Sequence, residues 1–388
     1  MNTDSIDWQA VLGPEIFGSM GSELPELQAG VLGHSPRAIR LTRAVDPVGL
    51  PFATSQVPWF SNGRYVAEPN VRPGQFLQHA AGDYYVQDAG SMLALALCDV
   101  QPGQIVCDAC AAPGGKSTGL LEQLDGCGAL VANEVTMSRL APLRLALARS
   151  GMCNYLLTNH ELGRLAELYG SSFHCVLVDA PCTGQSMVVR GKQSMSAFLE
   201  SQICHSSARQ RKIIEATAKL VKPGGRMVYS TCTFSWAENE QIIREFLATH
   251  PGWKILRFPE LHAWECSHEP GCYRLWPHRD RAAGAFAAAL QKLEEPRDAC
   301  SPIHSRFASP RWRPLSRSCT VPAWLTAAEA DSLYRYEEEV HRFPSGIDSD
   351  WIANSRAGSP VAQLKSTAHR SQTAGRKSLS EQQRVRRP

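Results

Sequence analysis

From about residue 105 onward, short apolar runs alternate with longer amphipathic segments. One run, FHCVLVDA, is continuously apolar, as a parallel strand covered on both faces requires. The segment from Ser206 to Val221 repeats apolar residues at helical spacing and predicts a helix that the following KPGG ends. The runs predict strands at Ile105–Asp108, Ala129–Glu134, His174–Asp179 and Arg226–Ser230. Strands that alternate with helices indicate an α/β fold with a doubly wound, mostly parallel sheet.

The pattern before and after this region is different. Pro36 to Arg43 alternates as a strand does, whereas Arg64 to Gly82 resembles a loop. We therefore divide the chain into four parts. They are a small N-terminal region (residues 1–60), a main domain (61–295), a C-terminal extension (296–353) and a tail (354–388).

Charge is distributed unevenly along the 388 residues. The net charge is +3, but residues 354–388 carry eight Lys/Arg against one Glu, a balance of +7 that leaves −4 for residues 1–353. The tail is also poor in apolar residues, so we predict that it is disordered. A second basic patch, Arg297 to Arg317, holds five arginines together with Phe307 and Trp312. Cations beside aromatic rings suit a nucleic-acid strand, although a tail that only aids solubility fits the last 35 residues as well.

Composition excludes several classes of protein. The start of the chain lacks the basic and apolar regions of a secretory signal, so the 13 cysteines are expected to be reduced thiols and not a disulfide framework. Apolar stretches such as Ala282–Leu290 are too short to span a bilayer. We expect a soluble, cytoplasmic monomer without a membrane partner.

A zinc site is not expected. Cys107 and Cys110 have CxxC spacing, but no second pair follows at the distance that zinc ribbons require. A second group has suitable residue types, but its spacing matches no motif that we can justify; it comprises His262, Cys266, His268 and Cys272.

The first motif with a chemical meaning is VCDACAAPGGKSTGLL, in which a strand ends, a loop of small residues follows and a helix begins near Ser117. Small residues let the backbone approach a ligand closely. The spacing is neither that of a Walker A loop nor GxGxxG. Glu134 ends the next strand, 19 residues past Gly115, where a carboxylate can accept both hydroxyls of a ribose. The motif favours a nucleoside site, with a plain glycine-rich turn as the alternative.

Two further motifs each place a cysteine at the end of a strand. VLVDAPCTG contains Asp179 and Cys182, and YSTCTFSWAENE contains Cys232. A single cysteine at such a position is most often a small core residue. Two at the ends of two strands of one parallel sheet, with the glycine loop at the end of a third, favour a shared active site.

Together, DACAAPGGK, DAPCTG and STCTFSWAENE resemble the Nop/Sun (Fmu-type, RsmB/Nop-like) RNA cytosine-C5 methyltransferases, which use S-adenosylmethionine. The resemblance continues in HAAGDYYVQDAGSML and RLWPHRDRAAGAF and covers roughly residues 36–292. It implies a class I methyltransferase sheet after a small RNA-contacting region. It also implies Cys232 as the nucleophile and Cys182 as the cysteine that assists product release.

The same resemblance implies a set of cofactor-binding residues. Glu161, in TNHELG, stands where the family usually has an Asp near the adenine, and RAAGAF replaces the usual GEGFF. The implied set is Cys110, Ala111, Ala112, Pro113, Gly114, Gly115, Lys116, Glu134, Glu161 and Asp179.

The chemistry of this family explains the residue types. Cytosine C5 is a weak nucleophile until a thiolate adds at C6, and cysteine is both a nucleophile and a good leaving group near neutral pH. From position and charge, we expect Asp179 to hold the cytosine edge and Lys116 to support the thiolate or the ring. The base must be single-stranded or flipped out of a helix.

The sequence leaves alternatives open. Small-subunit rRNA is the favoured substrate, and tRNA is the second. A DNA cytosine methyltransferase also uses a Pro-Cys, but Cys232 and the CAAPGGK loop favour RNA. A catalytically inactive RNA-binding ribosome-assembly factor is the other alternative; we disfavour it because a decayed site is expected to lose at least one of Lys116, Asp179, Cys182 and Cys232.

Overall fold

The structure, a computed structural model, describes most of the first 294 residues and shorter parts of the remainder. The described residues are 3, 5–42, 45–294, 312–314, 333–336, 339–344, 347, 349–366 and 383–386.

A small antiparallel sheet precedes the main domain. Two helices lead into it, α1 (Trp8–Met20) and α2 (Leu24–Leu32). Its strands are β1 (Ala38–Leu41), β2 (Thr54–Gln56), β3 (Gly63–Val66) and β4 (Tyr84–Val86), in the order β2-β3-β1-β4, with α3 (Leu77–Ala81) before β4.

This sheet confirms the strand predicted within residues 36–43, but it differs from two other expectations. All four residues of β1 are buried, Arg40 included. The segment 64–82 is not only loop, because it contains the end of β3 and the whole of α3. The sheet also crosses the division that we placed at residue 60, since β2 and β3 pair across it.

The main sheet has eight strands. The chain enters this domain through α4 (Ser91–Cys98). The strands and the helices that connect them then follow in this order: β5 (Ile105–Asp108), α5 (Gly115–Leu124), β6 (Ala129–Asn133), α6 (Leu140–Arg149), β7 (Tyr155–Thr158) and α7 (Leu162–Tyr169). It continues with β8 (Phe173–Asp179), α8 (Glu200–Ala218), β9 (Val221–Thr231), α9 (Glu240–Thr249), β10 (Trp253–Ile255), β11 (Cys272–Leu275) and β12 (Ala285–Lys292).

The strand order of the main sheet is β10-β12-β9-β8-β5-β6-β7, with β11 on β12. β5 to β9 are parallel to one another, and β12 is antiparallel to β9. This confirms the doubly wound, mostly parallel sheet. Apolar layers cover both faces, one built around α4, α5 and α6 and the other around α7, α8 and α9. The carboxyl ends of β5, β6, β8 and β9 share one edge of the sheet, where the motifs lie.

The predicted helix and the fourth predicted strand have different bounds in the structure. α8 ends at Ala218, and KPGG lies inside β9 and not at the end of the helix. The pairing of β8 with β9 shifts at this point, because Phe173 faces Val221 but Cys175 faces Arg226. The extra residues of β9 include Gly224 at φ +73, a left-handed conformation that glycine adopts at little cost.

A five-stranded antiparallel sheet lies toward the end of the chain. Its elements are β13 (Arg313–Pro314), β14 (Leu333–Tyr336), β15 (Glu339–Arg342), α10 (Ser349–Ala353), β16 (Ser359–Ser366) and β17 (Gln383–Arg386), and its strands follow chain order. This region joins the main sheet where the Leu157 N–H donates to the Ala357 carbonyl at 2.7 Å.

Two predictions near the end of the chain are only partly covered by the structure. β16 and β17 fall within the tail for which composition predicts disorder, while residues 367–382 and 387–388 lie outside the described residues. The basic patch at 297–317 lies outside them too, apart from residues 312–314. Within the described ranges, no helix combines the length and the apolar composition that crossing a bilayer requires.

Candidate active site

The glycine loop joins β5 to α5 in a conformation that its small residues permit. Gly114 has φ +110, and a Cβ placed there would lie 2.6 Å from the Ala146 Cβ, so only glycine fits. The Ala111 N–H donates to the Asn133 carbonyl at 2.8 Å, which holds the loop against the end of β6. Lys116 lies in the first turn of α5, and its side chain reaches Asp179 at the end of β8.

A cavity of about 290 Å³ opens beside this loop. Three of the predicted cofactor residues, Cys110, Glu134 and Glu161, line it together, and so does Pro181, the residue before Cys182. Its walls also include cations that no motif singled out, Arg139, Arg209 and Lys212. Arg209 and Lys212 are three positions apart on α8, which is the spacing that puts two side chains on one helix face.

Glu134 is held firmly at the wall of the cavity. It is only 2% exposed, and its Oε1 accepts a hydrogen bond from the Thr136 N–H at 2.8 Å. Its Oε2 lies 3.1 Å from Arg139 Nη1. The carboxylate is thus fixed at the end of β6, the position that a ribose contact requires.

Asp108, which the sequence motifs did not single out, is the most unusual carboxyl group near the loop. It ends β5 with no exposure, and Ser117 Oγ donates to its Oδ2 at 2.7 Å. Its Oδ1 is buried without a hydrogen-bond partner in the described part of the chain, and burial raises the pKa of Asp108 to about 7. A buried acceptor that lacks a donor fits a ligand that carries an ammonium group. A polar residue ending a buried strand was the available signal.

Lys116 and Asp179 form an ion pair next to the thiols. Lys116 Nζ lies 2.7 Å from Asp179 Oδ2, and Ser230 Oγ donates to Asp179 Oδ1 at 3.1 Å. Burial disfavours the charged form of Lys116, but the Asp179 carboxylate outweighs it and raises the pKa of Lys116 above its ordinary value. A fixed positive charge is therefore present at the strand ends.

Cys182 and Cys232 meet because their strands are neighbours. Asp179 at the end of β8 faces Ser230 near the end of β9, so the loops that follow begin side by side. The two Sγ atoms are 3.5 Å apart, within hydrogen-bond distance for sulfur, and both side chains are partly exposed.

The pKa values of the two thiols are shifted in opposite directions. The hydrogen bond from Cys182 lowers the pKa of Cys232, with help from Lys116, against the opposing effects of burial and Asp179. The same contact with Cys232, together with burial, raises the pKa of Cys182 well above that of a free thiol. Cys232 is therefore the thiol that loses its proton more readily, and Cys182 is the one that keeps it.

Possible metal ligands do not converge. Among the residues that the structure describes, no group of three or more His, Cys, Asp or Glu side chains is arranged to hold a metal ion.

Comparisons with known proteins identify the family to which the chain is similar. A family model described as 16S rRNA methyltransferase RsmB/F matches residues 94–291. The chain is 30% identical over 339 residues to the "Ribosomal RNA small subunit methyltransferase F" of Pectobacterium carotovorum, covering 83% of this chain and 69% of that one. A protein of the same name from Pectobacterium atrosepticum is 34% identical over 61% of this chain and 50% of its own length.

Solved structures agree with the sequence comparisons. A methyltransferase homolog protein from Pyrococcus horikoshii superposes with a TM-score of 0.63 at 26% identity and covers 76% of this chain and 100% of that one. This similarity agrees with a class I methyltransferase fold. The chain therefore belongs to the RsmB/F family of 16S rRNA methyltransferases, whose members are S-adenosylmethionine-dependent RNA methyltransferases.

Proposed function

We propose that the chain methylates C5 of a cytosine in RNA, with small-subunit rRNA as its substrate, through a covalent bond between Cys232 and C6 of the base. The observation that carries this proposal is the pair of thiols 3.5 Å apart beside the Lys116–Asp179 ion pair. The choice of rRNA follows the names of the family and of its relatives.

Cys232 begins the reaction. The Cys182 hydrogen bond and the Lys116 charge lower the pKa of Cys232, so its thiolate forms more readily than that of an ordinary cysteine. The thiolate adds to C6, and the electron pair of the C5–C6 double bond moves to C5, which becomes nucleophilic. Asp179, partly exposed beside Cys232, accepts a hydrogen bond from the N4 amino group, and Lys116 offsets negative charge on the ring.

The methyl group comes from the cofactor, which the next set of residues would hold. S-adenosylmethionine, when bound, presents an electrophilic methyl group on a sulfonium, which C5 accepts. The residues that fit this ligand are the loop Cys110–Lys116, Glu134 for the ribose, Glu161 toward the adenine, and Asp179 beside the reacting base. Asp108, with its unpartnered buried Oδ1, adds an acceptor for the ammonium group of the methionine part.

Cys182 assists the last step. A base removes the C5 proton, the C5–C6 double bond re-forms and the bond from C6 to Cys232 sulfur breaks, returning negative charge to that sulfur. The Cys182 S–H, 3.5 Å away, donates to the departing sulfur. A group that stabilises the thiolate also makes it a better leaving group, so removing Cys182 slows release.

Two variants and one gel test the assignment of the two cysteines. Each variant is incubated with S-adenosylmethionine and labelled RNA, and the products are run on a denaturing gel. Cys232→Ala should neither methylate nor bind RNA covalently. Cys182→Ala should attack and methylate but release slowly, leaving a protein–RNA adduct that nuclease removes. Cys204→Ala, which changes an exposed thiol on α8, is the control and should behave as the unaltered protein does.

The opposite pattern would contradict the assignment. A stable adduct with Cys232→Ala and none with Cys182→Ala would make Cys182 the nucleophile. If neither variant loses activity, the thiol pair has no part in the reaction. Bisulfite sequencing of total RNA from a strain without the gene then identifies the substrate, since the missing methylcytosine should lie in small-subunit rRNA and not in tRNA.

A further inference from the structure

Glu238 is a buried carboxylate that the reaction described above does not use. It lies in a short 3-10 turn, Trp236–Glu238, six positions after Cys232, and its exposure is 0%. Its two oxygens accept four hydrogen bonds, from Thr183 N–H (3.0 Å), Thr183 Oγ1 (2.6 Å), Gln210 Nε2 (2.9 Å) and Thr233 Oγ1 (3.3 Å).

Three of these four donors belong to the two loops that carry the thiols. Thr183 follows Cys182, and Thr233 follows Cys232. The hydroxyls of the two threonines are also 2.9 Å apart. Gln210 reaches from α8 and donates a second hydrogen bond to the carbonyl of Pro181, the residue before Cys182, at 3.1 Å. One carboxylate thus ties both cysteine loops to each other and to α8.

We propose that Glu238 is a positioning residue that places the Cys182 thiol against Cys232 and thereby governs the release of methylated RNA. This inference rests on the proposed function for its consequence, but its geometric part does not depend on which molecule is methylated.

The loop of Cys182 depends on Glu238 more than the loop of Cys232 does. Glu238 holds the Cys182 side by two bonds to Thr183, one to the backbone and one to the hydroxyl, and the Cys232 side by the longer bond to Thr233. Both loops also have contacts that do not involve Glu238: the Ser186 N–H donates to the Cys232 carbonyl at 3.1 Å, and Gln193 Nε2 donates to the Thr183 carbonyl at 3.0 Å. Weakening Glu238 should therefore displace Cys182 more than Cys232, because Thr183 loses two bonds and Thr233 loses one longer bond. The negative charge of Glu238 also helps to raise the pKa of Cys182.

Three variants test the contact, and a fourth is a matched control. Glu238→Gln removes the charge and weakens all four bonds at nearly constant volume, and Thr183→Val removes the shortest bond while keeping the shape. Thr183→Ser keeps the hydroxyl and should restore the behaviour of the unaltered protein. Glu240→Gln, the control, changes another buried carboxylate, which pairs with Arg274 and accepts from neither threonine.

Two measurements separate positioning from plain loss of stability. The first is the fraction of labelled RNA trapped as a covalent adduct. The second is the rate at which dibromobimane joins Cys182 to Cys232, followed by its fluorescence, with Cys182→Ala and Cys232→Ala as blanks. We expect Glu238→Gln and Thr183→Val to raise the adduct fraction and lower the crosslinking rate, each by roughly ten-fold, which is the equilibrium effect of one hydrogen bond to a charged group. Thr183→Ser and Glu240→Gln should change neither.

The outcomes also distinguish this inference from the proposed function. If Cys182→Ala accumulates adduct but Glu238→Gln and Thr183→Val do not, the function stands and the positioning role is wrong. If no variant gives an adduct, the proposed chemistry fails, and the crosslinking rate alone decides whether Glu238 places the thiols. Equal losses of thermal stability in Glu238→Gln and Glu240→Gln, with unchanged crosslinking, would reduce Glu238 to a structural group.

Discussion

At the scale of single residues, the site gives different properties to two thiols that are alike in the unfolded chain. Their 3.5 Å contact has opposite effects on the two residues: it lowers the pKa of Cys232, which favours the thiolate, and raises the pKa of Cys182, which favours the thiol. Lys116 adds to the difference because its charge acts on Cys232. In the proposed reaction, the roles of nucleophile and helper therefore depend on the neighbours of each cysteine and not on residue type.

This asymmetry predicts how the reactivity of Cys232 depends on pH. Because the hydrogen bond from Cys182 lowers the pKa of Cys232, its alkylation by iodoacetamide should begin at lower pH than that of an ordinary thiol. In Cys182→Ala the pH midpoint should rise, and reactivity at pH 7 should fall. Peptide mass spectrometry measures both, with exposed Cys204 as the internal reference. An unchanged midpoint in Cys182→Ala would show that the contact does not tune the thiol.

Asp108 predicts a pH dependence of cofactor binding. Burial raises the pKa of Asp108 to about 7, so below that pH the free protein carries a neutral acid, which cannot pair with an ammonium group. Affinity for S-adenosylmethionine should therefore increase as the pH rises through about 7, and binding near pH 7 should release a proton. Calorimetry in buffers of different ionisation enthalpy measures that proton. Asp108→Asn should abolish the release; a release that persists would come from another group.

Glu134 predicts a simple loss of affinity. Glu134→Ala should weaken S-adenosylmethionine binding by about 1.5–3 kcal/mol, the usual contribution of a hydrogen bond to a charged group. Glu167→Ala changes an exposed carboxylate on α7 and should bind normally in the same calorimetric titration. Equal affinities for both folded variants would remove Glu134 from the cofactor site.

The residues found from sequence and those missed differ in the kind of signal they give. Glu134, Cys182 and Cys232 were predictable because they follow apolar runs, and the carboxyl ends of parallel strands meet at one edge. Asp108 and Glu238 are equally close to strands or motifs, but what distinguishes them is complete burial and the partners around them. Burial of a polar side chain is decided by tertiary packing, which periodicity does not report.

At the scale of elements, the strands that the sequence predicts are those with a clear local pattern, and the missed features depend on tertiary packing. β5 has the bounds that its apolar run predicts, and β8 begins one residue earlier. The apolar pattern does not predict β7, YLLT, which pairs with β6 on one side and with Ala357 on the other. KPGG is a helix-ending signal in isolation, but here it lies inside β9, between Val221 and Arg226, which both pair with β8.

Arg40 links two elements, and this link predicts a stability effect. Its guanidinium is fully buried on β1, and Nε and Nη2 contact both carboxylate oxygens of Glu122 on α5 at 2.8 and 2.9 Å. It also donates to the Gly115 carbonyl in the glycine loop. Arg40→Met leaves Glu122 buried without its cation and should cost about 3–5 kcal/mol of unfolding free energy.

Urea denaturation measures this cost, and a second substitution serves as the control. The double variant Arg40→Met with Glu122→Leu removes both charges and should recover much of the loss, because no unpaired charge stays buried. If the single variant is as stable as the unaltered protein, the N-terminal sheet is not held to the cofactor loop by this pair.

At the scale of the whole molecule, the position where the charge of the chain changes is not a boundary of the fold. The balance of charge is +7 in residues 354–388 and −4 before them, yet the fold does not change at residue 354. The backbone carbonyl of Asn354 contacts His160 Nε2 at 3.0 Å, and Ala357 pairs with β7. The first residues of the tail therefore belong to the fold, whereas most of its positive charge comes after them.

Two truncations separate the contribution of the tail's positive charge to RNA binding from the contribution of its first residues to stability. Ending the chain after Ser366 removes six Lys/Arg and one Glu but keeps the contacts with β7. RNA binding should weaken, and the slope of log affinity against log salt should decrease by up to about 4, at ~0.7 for each contact with a single-stranded phosphate. The modified cytosine should stay the same, because phosphate contacts carry no sequence information directly. Salt titration of RNA binding and bisulfite sequencing measure the two effects.

Ending the chain after Ala353 should add a second effect, because the edge of β7 then loses its hydrogen bonds to the segment around Ala357. The melting temperature should fall further for this truncation than for the one after Ser366, which removes only β17 from its pairing with β16. An independent check that leaves the chain at full length is substitution of the six basic residues by Gln, which should flatten the salt dependence without changing the melting temperature. If either the shorter truncation or this neutralisation moves the methylated position, the end of the chain selects the target and does not merely add affinity.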